Sequence, residues 1–73
     1  MQTIEINTET IQLDQLLKWA GIIESGGQVK FLLEEQRIKR NGEIETAKRR
    51  KIKSGDVIEI LGEGTWKVVR QGE

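Results

Sequence analysis

From Thr3 to Asn7 isoleucine alternates with polar residues, Ile4 and Ile6 falling on one side. That is the period of a half-buried strand, short enough to serve as a strand-like arm. At Leu13 the period lengthens: Leu13, Leu16, Leu17 and Ala20 stand at i, i+3, i+4 and i+7 and form one stripe of a helix that stops at Gly21, a suitable C′ residue. On a wheel of about 100° per residue Lys18 falls nearly opposite that stripe and Trp19 on its flank, so Lys18 faces solvent. Ser25-Gly26-Gly27-Gln28 matches the capping box S-x-x-Q and predicts a second helix with a Val29, Leu32, Leu33 stripe, ending near Gln36. The short joint from Ile22 to Ser25 gives the spacing of a helical hairpin or helix-turn-helix. Phe31 points away from its own helix's stripe, which predicts that another part of the chain covers it.

After Arg37 the pattern turns to strand. Asn41-Gly42, between Arg37-Ile38-Lys39-Arg40 and Glu43-Ile44-Glu45-Thr46, predicts a two-residue hairpin, because a type I′ turn needs positive φ at both central positions. Ser54-Gly55-Asp56 makes another turn, Val57 to Leu61 a strand, and Thr65 to Val69 a last strand after Gly62-Glu63-Gly64. Trp66 alternates with Val68 and is expected to cover Phe31 or another apolar patch. Helices grouped together and strands grouped together predict an α+β fold, with a helical pair packed on one face of a small antiparallel sheet. No repeat or linker interrupts the order, so residues 1–73 are expected to form a single domain.

Composition narrows the chemistry. A chain of 73 residues buries only roughly 60% of its unfolded surface, leaving little core to shape an enclosed active site. Cys and His are both absent, which removes disulfides, thiol nucleophiles, imidazole bases and the common zinc sites. No enzyme activity, metal or cofactor is therefore expected. The chain is 36% hydrophobic and 33% charged without a long apolar run or signal-peptide pattern, so a soluble protein of a reducing compartment, the cytoplasm, is expected, with no membrane partner.

The formal net charge is zero, yet the charges are sorted into blocks. Residues 1–36 carry two basic side chains against six acidic ones, residues 37–53 carry eight against two, and the remainder two against four. The middle block, comprising Arg37, Lys39, Arg40, Lys48, Arg49, Arg50, Lys51 and Lys53, is the footprint of a surface that docks polyanions. Lys48-Arg49-Arg50-Lys51 is the densest part. The planar forks of Arg49 and Arg50 suit bidentate contacts with phosphate. Ser25-Gly26-Gly27 reads as a helix cap with a tight entry, since it lacks the spacing of a nucleotide P-loop. Trp19, Phe31 and Trp66 read as structural, and Glu34 with Glu35, and Glu43 with Glu45, as solvated faces.

Four fragments in order, Leu13-Asp14-Gln15-Leu16-Leu17-Lys18-Trp19-Ala20-Gly21, Ser25-Gly26-Gly27-Gln28-Val29-Lys30, Ile38-Lys39-Arg40-Asn41-Gly42-Glu43 and Ser54-Gly55-Asp56-Val57-Ile58, resemble the RNA-binding domain first named for small-ribosomal-subunit protein S4, also called the alpha-L RNA-binding motif. The resemblance spans roughly residues 10–61 and is strongest to the small stand-alone bacterial members. It implies a module whose helical pair and following hairpin present a surface to structured RNA. Carried over by position, Lys18, Gln28 and Lys30 on the helices and Arg37 and Lys39 at the hairpin are the implied contacts. Many members have arginine where this chain has Gln12 and Gly27; here Arg40 stands in a place usually apolar and Arg49 in one often given to glycine.

The resulting expectation is a monomeric, non-enzymatic RNA-binding protein for ribosomal or transfer RNA, acting mainly through Lys48, Arg49, Arg50 and Lys51, with Arg40 and Lys53 beside them. Two other readings share part of the pattern. A ubiquitin-like sulfur carrier of the β-grasp type also has an N-terminal strand, an N-G-E hairpin and a G-D-x-I-E-I segment, but needs a Gly-Gly terminus where this sequence reads Arg70-Gln71-Gly72-Glu73. A protein-interaction module on a ribosomal or other complex would use the acidic helices and the basic hairpin for two different partners.

Overall fold

The computed structural model describes residues 1–72. In chain order the elements are β1 (Gln2–Ile6), β2 (Thr10–Gln12), α1 (Leu13–Trp19), α2 (Gly26–Glu34), β3 (Ile38–Arg40), β4 (Glu43–Ile44), β5 (Lys51–Lys53), β6 (Val57–Ile60) and β7 (Gly64–Arg70). Five strands form one sheet in the order β1-β7-β6-β3-β4, while β2 and β5 make a separate two-stranded ribbon. The architecture is α+β as the pattern implies. The main sheet is mixed, however: β1 runs parallel to β7, pairing Ile4 with Val68, whereas the other neighbours are antiparallel.

Alternation along each strand decides what lies beneath the helices. Ile4 and Ile6, Ile38, Ile58 and Ile60, and Val68 turn to one face and meet Leu13, Leu16 and Leu17 of α1 and Val29 and Leu33 of α2 in one buried cluster. Ile52 of β5 joins it and Ile11, its partner on β2, packs against it, so the ribbon is anchored by this one cross-strand pair. Lys39, Glu59 and Lys67 occupy the alternate positions on the opposite face of the sheet.

Both helices end in the same way. Gly21, at φ 74°, donates its N–H to the carbonyl of Lys18 (3.0 Å), and Ile22 donates to that of Leu17 (2.9 Å). This pair of bonds is the Schellman closure. At the end of α2 the left-handed position falls to a residue with a Cβ: Gln36 sits at φ 55°, with Gln36 N–H donating to Leu33 and Arg37 N–H to Leu32. The helix therefore closes two residues before the point that the stripe predicts. At its start, the Oε1 of Gln28 accepts from the backbone N–H of Ser25 (3.2 Å), as the capping box requires.

The hairpin forms with Asn41 at φ 54° and Gly42 at φ 87°, the double positive φ of a I′ turn. One expectation needs correcting: Phe31 is 55% exposed and is not covered by another part of the chain. Of the two alternatives for Trp66, the second holds: it covers the core and not Phe31, with its indole N–H donating to the Oε1 of Gln2 on the adjacent strand (3.1 Å). A side chain pointing off its own stripe is no guarantee of a second layer.

Gln36 gives the first testable outcome. Replacing it with glycine removes the left-handed penalty without touching the core, and is expected to raise unfolding stability by about 0.5–1 kcal/mol in urea titrations.

Candidate nucleic-acid interface

The basic block does not form one hairpin. Arg40 ends β3, but Lys48, Arg49 and Arg50 lie in the loop after β4, and Lys51 and Lys53 lie on β5, which pairs with β2 and not with the hairpin. The sequence hid β2 and β5 because strands of three residues are too short to display a period.

A buried carboxylate shapes this loop. Glu45, read from the sequence as part of a solvated face, is only 4% exposed. Its Oε1 accepts from the Nε of Arg40 (3.1 Å) and of Arg50 (2.8 Å), and its Oε2 accepts from the backbone N–H groups of Thr46 (2.9 Å) and Ala47 (3.0 Å). Burial alone raises the carboxyl's pKa, but the bonds from Ala47, Arg50, Arg40 and Thr46 outweigh it, and the pKa falls from 4.5 to about 2. The correction follows from a local fact: Glu45 stands five residues from an arginine on each side, and chain reversal brings both back to it.

The other end of the loop is pinned by α1. The N–H of Leu13 donates to the carbonyl of Arg50 (2.9 Å) and that of Asp14 to the carbonyl of Lys48 (3.1 Å). Gln12, the N-cap of α1, contributes no side-chain cap, so the loop's carbonyls meet donors that a helix start normally leaves open. With its backbone spoken for at both ends, the loop turns the side chains of Lys48 and Arg49 away from its own structure. The Nζ of Lys48 lies over the first turn of α2, only 3.0 Å from where a Cβ on Gly26 would stand. The backbone glycine is what admits the ammonium there.

This geometry sorts the candidate residues. Lys48 is half-buried and Arg49 exposed; Lys51 and Lys53 project from one face of the ribbon beside Gln12 and Thr10, and Lys30 lies exposed one helical turn beyond Gly26. Of these, Lys48 is the one whose ammonium lies over the start of α2; Arg49 adjoins it in the loop and Lys51 and Lys53 follow on the ribbon. Gln28 is exposed, but its carbonyl oxygen is committed to Ser25, leaving only its NH2 group for a ligand. Arg40 and Arg50 are tied to Glu45, with side-chain exposures of 32% and 46%. Lys18 is exposed on the last turn of α1. Arg37 lies at the far end of α2, over the turn at Gly62, and Lys39 lies on the sheet face away from the helices, opposite Glu59.

A second buried acid was also missed as a positioning group. Asp56 is 4% exposed; its Oδ1 accepts from the Nδ2 of Asn41 (3.0 Å) and its Oδ2 from the N–H of Lys53 (3.0 Å), while the Oδ1 of Asn41 accepts from the N–H of Val57 (2.8 Å). The two turn signals, Asn-Gly and Gly-Asp, are legible separately; the bond between them spans fifteen positions and has no local signature.

Comparison with known proteins agrees with this architecture. The family model described as S4 domain matches residues 4–69. The probable ribosome maturation protein RlbA of Bacillus subtilis (strain 168) is 46% identical over 66 residues, covering 90% of this chain and 93% of that protein. The putative RNA-binding protein YbcJ of Escherichia coli (strain K12) is 40% identical over 52 residues, 71% of this chain and 74% of the relative. The solution structure of YbcJ from E. coli, described as revealing an alfaL motif involved in RNA-binding, aligns with a TM-score of 0.70 and 36% identity over 94% of this chain and 87% of that one.

The Glu45 cluster sets a pH dependence. The folded protein holds this carboxyl at about 2 against an ordinary value of 4.5, so on acidification the unfolded chain takes up the proton first. The stabilisation is complete above the ordinary value and disappears as the pH falls from 4.5 to about 2. Glu45→Gln removes the negative charge and turns one of the two acceptor oxygens into an NH2 group that faces donors, and is expected to cost about 1–3 kcal/mol at neutral pH, discounted for the exposure of the two arginines. The variant's urea midpoints should also vary less than the parent's across that acidic window.

Proposed function

The chain belongs to the S4 domain family, and from that footing we propose that it is a non-enzymatic RNA-binding protein that grips the backbone of folded RNA. The observation that carries the proposal is the Lys48 ammonium lying over the first turn of α2, in a loop held by Glu45 and by the first amides of α1, with Arg49 exposed next to it in the chain. Amide groups at a helix start and an ammonium placed over them put positive potential in one spot, which is the arrangement phosphates seek. No base-reading pocket is needed for such recognition. A rigid cationic loop responds to where phosphates lie, and in folded RNA that placement is a property of shape.

Arg49 is the side chain proposed to hold phosphate through its fork. Arg50, which the sequence ranks equally, is proposed to act through Glu45 by holding the loop in place. The names of the relatives, one a probable ribosome maturation protein and one a putative RNA-binding protein, favour ribosomal RNA as the ligand and the cytoplasm as the place of action.

Fluorescence anisotropy on a labelled ribosomal RNA hairpin across a salt series tests this reading. Five neutralised phosphates would give a slope of log affinity against log salt of roughly −4, and Lys48→Glu with Arg49→Glu should reduce its magnitude by about 2. An unchanged slope would remove the loop from the interface. Gly26→Ala provides a second check: the new Cβ displaces only the end of the Lys48 side chain, so melting should stay level or rise while RNA affinity drops severalfold.

A further inference from the structure

The RNA reading leaves a second surface unused. A groove of about 500 Å³ runs along α2, from Ser25 and Gly27 to Arg37 and Glu63. Ile22, Phe31, Leu32 and Ile60 wall it, and of these Phe31 is the most open. An aromatic ring 55% exposed beside three aliphatic side chains has the character of an anchor pocket.

Charge selects the occupant. Glu63 lines the groove, Glu34 and Glu35 stand three and four positions after Phe31 on or just past the same helix, and Glu24 adjoins its near end in the chain. On the wheel Glu34 and Glu35 fall within about 60° of Phe31, whereas Lys30 is about 100° away. Arg37 is the cation within the lining. RNA laid here would bring phosphates against several carboxylates, while a cationic protein segment would find opposite charge around an apolar anchor site. We propose that this groove docks a lysine- or arginine-rich segment of a partner protein, carrying an apolar side chain that seats against Phe31, while RNA occupies the basic loop. The near end of the groove, at Ser25 and Gly27, adjoins Gly26 and Lys48, whereas Phe31 stands five positions further on and the end of α2 roughly 12 Å away, so the segment seats toward the Phe31 and Arg37 end while RNA occupies the loop.

Photocrosslinking in growing cells tests this. The full chain carries p-benzoylphenylalanine in place of Phe31 and, in a second version, in place of Glu34, while RNA bound by the unsubstituted chain is captured by short-wave ultraviolet crosslinking. The expected result is that the two substituted positions capture discrete proteins through peptides of net positive charge and that the unsubstituted chain captures RNA. Glu35→Lys with Glu63→Lys should cut protein capture at Phe31 at least about fivefold and leave ultraviolet capture of RNA unchanged. RNA crosslinked at Phe31 and Glu34, an acidic or neutral captured peptide, capture indifferent to the charge reversal, or no capture at either position would each overturn the proposal.

Discussion

The basic loop exists as a defined shape because one carboxylate is buried inside it. Arg40, Lys48, Arg49, Arg50 and Lys51 crowd like charges into a small volume, and a free chain would relieve that by spreading them apart. Glu45 removes the conflict from within: its two oxygens take two guanidinium groups and two backbone amides, so the charges that would drive the loop open are the ones that close it. Fixing residues 45–50 also fixes the carbonyls of Lys48 and Arg50, and these receive the first amides of α1. The start of the helical layer thus depends on the folding of the loop, although more than thirty residues of chain lie between them.

Asp56 does for the strands what Glu45 does for the loop. Its carboxylate joins the hairpin turn at Asn41 to the ribbon at Lys53, and its backbone carbonyl accepts from Val68 on β7 (2.9 Å). The ribbon turns one pair, Ile11 and Ile52, to the core and has three residues per strand, too little on its own to hold an angle to the main sheet. The bond to Lys53 supplies that restraint. Lys51 and Lys53 consequently keep a set position relative to Lys48 before any ligand arrives, and cations already in place cost a partner less ordering entropy than mobile ones.

What could be read in the sequence was whatever repeats over a turn or alternates over several residues. The α1 stripe, the capping box at Ser25, the I′ turn at Asn41-Gly42 and the strand after Asp56 all announce themselves within a window of eight residues, and the order of motifs gives the family. The parallel pairing of β1 with β7 was not legible, because it joins the two ends of the chain and leaves the alternation of Ile4 and Ile6 unchanged. Nor were the roles of Glu45 and Asp56, because a glutamate among arginines looks the same whether solvated or buried. Of the candidate interface, charge density marked a segment but could not separate Arg49, which has no bond to Glu45, from Arg50, which is held by it.

Zero net charge therefore says little about what this surface can bind. The molecule extends 34 × 22 × 18 Å, whereas fields in physiological salt decay over about 8 Å. Carboxylates at the far end of α2 are beyond that reach from Lys48, so they do not cancel the positive loop where a phosphate would meet it. In the proposed arrangement they act on their own side, where carboxylates around the apolar groove at Phe31 disfavour a polyanion. Segregating the charges in this way would confine a polyanion to one orientation, the basic surface attracting it and the acidic end opposing it. A uniformly basic domain of this size would bind RNA from many sides. A neutral one with sorted charges holds it on one.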